Sequence, residues 1–180
     1  MKIIDEPLEG LFVLQPIVYG DERGYFFESF RDDFCRQIGV KKAFVQDNQS
    51  LSSKNILRGL HFQAPPFAQG KFVSVVRGSV LDVVVDIRKN SKTYGQHVAI
   101  ELNENNHTAM YIPEGFAHGF YTLLDNTLFT YKCSDYYHPE SEGGLAWDCP
   151  ELGIDWGAQN PILSQKDKIN PMLKDFKSPF

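Results

Sequence analysis

The stretch Lys71-Phe72-Val73-Ser74-Val75-Val76-Arg77-Gly78-Ser79-Val80-Leu81-Asp82-Val83-Val84-Val85-Asp86-Ile87 decides the fold. Two runs rich in β-branched residues, Lys71 to Val76 and Val80 to Ile87, flank the turn pair Arg77-Gly78, which is the pattern of two strands joined by a tight turn. The same pattern recurs on both sides. Leu11 to Val18, Gly24 to Glu28, Leu57 to Gln63, His97 to Leu102, Thr108 to Ile112, Gly119 to Leu124 and Thr127 to Ser134 all read as strands, with turn pairs such as Asp125-Asn126 between them. Helical periodicity is clear once, where Phe30, Phe34 and Ile38 recur at four-residue steps; Ser29 with Asp32 resembles a capping box, and Gly39 offers a stop. Many short strands with little helix predict an all-β sandwich or closed antiparallel barrel with a few short peripheral helices. From Tyr136 onward Pro, Gly and Asp are richer, so this part reads as a covering segment, with a short helical turn near Leu163 to Asp167.

Length and composition bound the function. The 180 residues fit one domain, 1–180, large enough to bury a substantial core. A net charge of −5 opposes the counterion release on which nucleic-acid binding depends, so no nucleic-acid partner is expected. The three cysteines are odd in number and lack C-x-x-C spacing, which argues against a disulfide framework or a thiolate zinc site and for a reducing compartment. The N-terminus meets acid and proline within seven residues, unlike a signal peptide, and no run approaches the ~20 apolar residues that span a bilayer. The expected location is cytoplasmic, with no membrane partner.

Two segments each set one histidine among glycine, aromatic or basic residues: Arg58-Gly59-Leu60-His61-Phe62-Gln63 and Pro113-Glu114-Gly115-Phe116-Ala117-His118-Gly119-Phe120. Imidazole is the side chain best matched to proton transfer near pH 7. Strand alternation places Leu57, Gly59, His61 and Gln63 on one face and Arg58 on the other, unless Gly59 admits a bulge that brings Arg58 round. It also turns Asp82, Val84 and Asp86 to one face, and an acid pointing into a barrel needs a partner such as histidine or lysine.

Pro113-x-Gly115-x-x-His118 resembles the second signature of the cupin superfamily, whose barrels often bind iron, manganese or zinc. In the first signature a His-x-His pair and a later Glu are ligands, whereas this chain reads His61-Phe62-Gln63 and then Ala64 to Gln69 without a glutamate. A neutral glutamine is a poor substitute for imidazole or carboxylate, so neither metal nor other cofactor is expected and His61 is free to act as acid or base.

The segments Asp21–Glu28, Phe44–Ser50, Leu57–Gln63, Gln69–Lys71, Asp82–Arg88, Pro113–Phe120, Tyr131-Lys132, Tyr136-Tyr137 and Leu163–Asp167, in this order, resemble the dTDP-4-dehydrorhamnose 3,5-epimerase family, a metal-free branch of the cupins. The resemblance implies a cupin-type double-stranded β-helix, or jelly-roll barrel. It implies an isomerase that inverts C3 and C5 of dTDP-4-dehydro-6-deoxy-D-glucose in L-rhamnose precursor synthesis; the alternative is a single-centre epimerase on a related nucleotide 4-keto sugar. By the same resemblance His61 is the base, Asp167 its dyad partner, Tyr131 the acid and Lys71 the residue that stabilises the enolate. Asp82 is a second candidate partner on strand parity. Arg23, Glu28, Gln46, Asn48, Arg58, His118, Glu142 and Lys166 are implied contacts to the nucleotide sugar, and Tyr137 stacks on thymine. Taken alone, Tyr131 beside Phe129 reads as core, Tyr137 as a surface aromatic, Lys71 as an edge-strand lysine, and His118 as either ligand contact or remnant of a metal site. The family also implies a homodimer in which an N-terminal strand adds to the partner's sheet, for which Leu11 to Val18 is available.

Overall fold

The computed structural model describes residues 1–180. In chain order the strands are β1 (Lys2–Leu8), β2 (Leu11–Gln15), β3 (Tyr19–Asp21), β4 (Gly24–Phe26), β5 (Gln46–Ser52), β6 (Leu57–Gln63), β7 (Lys71–Arg77), β8 (Ser79–Asp86), β9 (His97–Asn103), β10 (Ala109–Ile112), β11 (Phe116–Thr122), β12 (Thr127–Cys133) and β13 (Glu142–Gly144). One α-helix, α1 (Asp32–Gln37), and three single-turn 3-10 helices complete the structure. A six-stranded sheet has the order β1-β2-β10-β7-β12-β5 and a five-stranded sheet the order β13-β6-β11-β8-β9; β3 and β4 form a separate hairpin. The named strands pair antiparallel throughout, giving the expected all-β barrel with short peripheral helices.

Strand alternation divides the apolar residues between two layers. Val73, Val75, Val80, Val84, Phe120 and Phe129 pack between the sheets. Val83 and Val85 of β8 point the other way, with Leu57, Leu60 and Phe62 of β6, and are covered by Leu145, Cys149, Leu152 and Trp156 of the C-terminal segment. The five-stranded sheet is thus apolar on both faces at β8, which is why Val83-Val84-Val85 reads as an unbroken run. The side of Leu57 is a correction: it packs with Leu60 and Phe62, away from His61.

The reason lies at Gly59. The pairing of β11 with β6 shifts register between His118 and Phe120, so alternation resets across Gly59. Gly59 has φ +131°, and a Cβ there would stand 2.5 Å from the Cα of Gly119 on the neighbouring strand. The two glycines let the backbones approach at the one point where β6 changes face.

Other boundaries moved for physical reasons. The helix begins at Asp32 with Arg31 as its N-cap and no side-chain cap bond, so Ser29 is not its cap; Gly39, φ +91°, does end it. Phe30, Phe34 and Ile38 still pack on one apolar cluster, so the spacing reported a buried face that extends beyond the helix. Strand β11 starts at Phe116, inside the glycine-histidine motif. Leu11–Gln15 is already paired with β1 and β10, so it is not free to add to another sheet; the N-terminal edge strand is β1, and β5 forms the opposite edge. No helix is long and apolar enough to cross a membrane.

Candidate active site

Inside the barrel a cavity of about 390 Å³ is lined by Arg58, His61, Lys71, His118, Tyr131 and Asp167 among others. A smaller space of about 100 Å³ shares His61, Lys71 and Tyr131 and is lined further by Gln46, Asn48, Tyr137 and Glu142. The register shift therefore brings Arg58 and His61 to the same cavity, three residues apart on one strand. Arg58 donates from Nη2 to Ser52 Oγ at 3.3 Å.

His61 Nε2 lies 2.5 Å from Asp167 Oδ1. The tail is fixed there by backbone bonds: Leu57 N–H donates to Ile162 O at 3.0 Å and Ile162 N–H to Asn55 O at 2.8 Å, so residues 162–167 run beside the start of β6. Ser164 Oγ donates to Asp167 Oδ2 at 2.7 Å and accepts from the Asp167 N–H at 3.2 Å. Ser164 has no role in the sequence expectations; its signal is the spacing three residues before an acid at a helical turn. Asp167 is only 3% exposed. Burial acts to raise its pKa, but the hydrogen bonds from His61 and Ser164 outweigh it and hold the carboxyl below its usual value. The acceptor fixes a proton on His61 Nε2 and leaves Nδ1 as the nitrogen free to take one.

Asp82 pairs elsewhere. Both its oxygens lie 3.0 Å from His118 Nε2, and the two side chains are buried, so Asp82 is partner to His118 and not to His61. Burial pushes the His118 imidazolium pKa down, against the pull of Asp82. With that nitrogen committed to Asp82 and Gln63 bound to backbone groups, the two positions of the cupin signatures do not fit a metal, and no three His, Cys, Asp or Glu side chains converge.

Lys71 shares the inward parity of Val73 and Val75, and β7 is a central strand between β10 and β12, so it is not an edge-strand lysine. Desolvation lowers its pKa, opposed by Cys133, Asp82 and Glu142. Tyr131 lies on β12 in the opposite sheet from His61, its ring against Phe129 and its side chain at the cavity. Burial raises its pKa, so the phenol keeps its proton at neutral pH.

Gln46 and Asn48 point inward from β5, joined Nε2 to Oδ1 at 3.0 Å. Tyr137, half exposed, donates its hydroxyl to Glu142 Oε2 at 2.6 Å, and Glu142 also pairs with Lys166. Burial opposes ionisation of Glu142, but Lys166 and Tyr137 lower its pKa overall. Two expected contacts, Arg23 and Glu28, lie outside this cavity. Arg23 sits on the β3–β4 hairpin, 85% exposed and paired with Asp21, and Glu28 pairs with Arg31; neither lines the cavity. The hairpin leaves the barrel, and Tyr25 and the following Phe27 pack on His107 at 4.9 and 4.8 Å.

Residues 5–175 match the family model described as dTDP-4-dehydrorhamnose 3,5-epimerase. The chain belongs to the dTDP-4-dehydrorhamnose 3,5-epimerase family. The member of that name from Salmonella typhimurium strain LT2 is 50% identical over 175 residues, 96% of each chain. The crystal structure of a dTDP-6-deoxy-D-glucose-3,5-epimerase from Legionella pneumophila in complex with dTDP-4-keto-L-rhamnose superposes with a TM-score of 0.93 at 46% identity, covering 98% of this chain and 94% of that one. A 3'-monoepimerase from Streptomyces bikiniensis in complex with dTDP-quinovose superposes at 0.88 with 34% identity, covering 94% and 86%. The epimerase family thus includes this cupin-like barrel.

Proposed function

We propose that this epimerase inverts C3 and C5 of dTDP-4-dehydro-6-deoxy-D-glucose with His61, Asp167, Tyr131 and Lys71 as its catalytic group. The C4 carbonyl acidifies the hydrogens on both neighbouring carbons. His61 Nδ1 removes one of them, leaving an enolate, and the resulting imidazolium is stabilised by the Asp167 carboxylate. Lys71 places a poorly solvated ammonium against the charge developing on O4, where a fixed cation is worth more than in water. Tyr131, from the opposite sheet, returns a proton to the other face, and each abstraction and return inverts one centre. The observation that carries this reading is the pair of the half-buried His61 with the buried Asp167 at 2.5 Å, at a cavity that the Tyr131 phenol lines from the opposite sheet.

Around that group, Arg58, His118, Gln46, Asn48, Glu142 and Lys166 contact the nucleotide sugar, and Tyr137 stacks on the base. Arg23 and Glu28 reach the substrate in a homodimer, from the hairpin of one protomer into the cavity of its partner. Their exclusion from their own cavity supports this, as does a groove of about 620 Å³ on the outer face of the six-stranded sheet, lined by Tyr25, Phe27, Phe72, Val76 and His107. Residues 1–180 act as one domain, and the enzyme works in the cytoplasm, where its three unpaired cysteines stay reduced.

The test is incubation with dTDP-4-dehydro-6-deoxy-D-glucose in deuterium oxide, following C3 and C5 by NMR. Incorporation at both positions with formation of dTDP-4-dehydro-L-rhamnose is expected. Exchange at only one position assigns the chain to single-centre epimerisation instead.

A further inference from the structure

Gln63 occupies the position where a metal-binding barrel of this type carries a ligand, and every polar atom of its amide is engaged. It is 4% exposed. Its Nε2 donates to the carbonyls of Phe67 and Tyr136, the latter at 2.9 Å, and its Oε1 accepts from the His138 N–H at 2.8 Å. Two further glutamines reach the same strip of chain. Gln69 Nε2 donates to the carbonyls of Asp135 at 2.8 Å and Tyr136 at 3.0 Å, and Gln46 Oε1 accepts from the Tyr137 N–H at 3.0 Å. Residues 135–138 belong to no strand or helix, yet each has a backbone group bound by one of three side-chain amides from separate parts of the barrel. His138, at the end of the strip, stacks on Phe67 with ring centroids 3.7 Å apart.

An amide both donates and accepts and stays neutral across the working pH range, so it can satisfy an irregular backbone without adding charge to the cavity. The strip carries Tyr137, whose ring is half exposed. An aromatic on an unsupported segment must be ordered when a ligand stacks on it, and the ordering cost comes out of the affinity; a segment fixed in advance avoids that cost.

We propose that Gln63 and Gln69 are positioning residues for the nucleotide: they hold residues 135–138 so that Tyr137 is presented to the base, and, although they border the space that His61, Lys71 and Tyr131 line, their amides bond backbone groups and not the proton-transfer group. This rests on the stacking role given to Tyr137 above. Gln63 therefore has a positive task in place of the metal ligand.

The experiment measures dTDP binding by calorimetry, and kcat and KM with the 4-keto sugar nucleotide, for the wild type, Gln69→Ala, Gln63→Met, Tyr137→Ala and the Gln69→Ala/Tyr137→Ala double variant. Gln69→Ala is expected to weaken dTDP binding about tenfold (~1.4 kcal/mol) and to raise KM by a similar factor, with kcat within about twofold of wild type. In the double variant the Gln69 effect disappears, because the residue acts through Tyr137. Gln63→Met is expected to show the same split with a larger KM change. Gln63 is buried, so if that variant does not fold, the partly exposed Gln69 carries the test. An additive cycle alongside a normal Tyr137→Ala effect overturns the positioning proposal alone, as does a fall in kcat at unchanged KM. A Tyr137→Ala chain that binds dTDP like the wild type refutes the stacking role itself, and the proposal falls with it.

Discussion

Replacing Asp167 by Asn tests the reaction at its most constrained point. The carboxylate uses one oxygen for each neighbour: Oδ1 faces His61 Nε2 at 2.5 Å and Oδ2 accepts from Ser164 Oγ at 2.7 Å. Asparagine can keep only one of these acceptors. If its oxygen stays on Ser164, the NH2 faces Nε2, and the ring must carry its proton on Nδ1, the nitrogen assigned to the substrate. The analogous tautomer error in a hydrolase triad costs a factor of about 10⁴ in kcat. If the oxygen turns to His61, the tautomer survives but the imidazolium loses its counter-charge; unit charges ~4 Å apart at an effective dielectric of ~20 attract by about 4 kcal/mol, or about 10³ in rate. Either orientation predicts a fall of about 10³ to 10⁴ in kcat. Deuterium uptake at C3 and C5, measured by NMR at saturating substrate, should fall with it, whereas the dTDP dissociation constant should stay near wild type. A loss of less than about tenfold, in a chain that still binds dTDP, would show that Asp167 neither orients His61 nor stabilises its imidazolium.

Tyr131→Phe removes the far-face donor and leaves the base in place, so product formation should drop by about 10² to 10⁴ while exchange at the carbons that His61 deprotonates persists; loss of exchange in parallel with inversion counts against the division of roles. Ser164→Ala removes one of the bonds that hold the Asp167 carboxyl low, so the acid limb of the kcat profile should move to higher pH with KM unchanged, and Ser164→Thr should restore it; an unmoved limb refutes the link. Gly59→Ala sets a methyl against the Gly119 backbone at φ +131°, which should destabilise by about 3 kcal/mol and lower Tm by roughly 6–12 °C; a variant melting like the wild type would show that β6 tolerates a side chain at its crossing point. Asp86 is held at about 2: burial raises its pKa, but bonds from Arg88, Ser91 and Thr93 prevail. A depressed carboxylate contributes its stability above the usual value of 3.8 and loses it as pH falls through about 2. Unfolding between pH 4 and 2 should therefore lose ~2 kcal/mol from this group, and Asp86→Asn should flatten that part of the curve; an unchanged slope rules the assignment out.

How much of the site could be read in advance follows from where its chemistry sits. His61, Lys71, Asp82, His118 and Tyr131 lie on strands whose apolar neighbours give away their parity, and Asp82 met the histidine partner that an inward acid requires. Strand β5 was missed because Gln46, Asn48 and Ser50 line the cavity side, so the residues facing inward are polar and the alternation of hydrophobicity vanishes. The edge strand β1 was missed for a related reason: it is mostly exposed, so little burial marks it.

By itself the sequence determined the all-β class and the family, because these rest on apolar periodicity and on residue types in a fixed order; it left two acids, Asp82 and Asp167, open as partners of His61. Only the tertiary structure decided which groups meet. It joined Asp82 to His118, moved Arg58 to the side of His61 through a register shift at Gly59, put Arg23 and Glu28 outside their own cavity, and gave Gln63 three backbone partners on a distant segment. The physical reason is the same in each case. Local periodicity gives the direction in which a side chain leaves its strand, but what it finds there depends on sheet order and register, which are set by pairings between residues far apart in the chain.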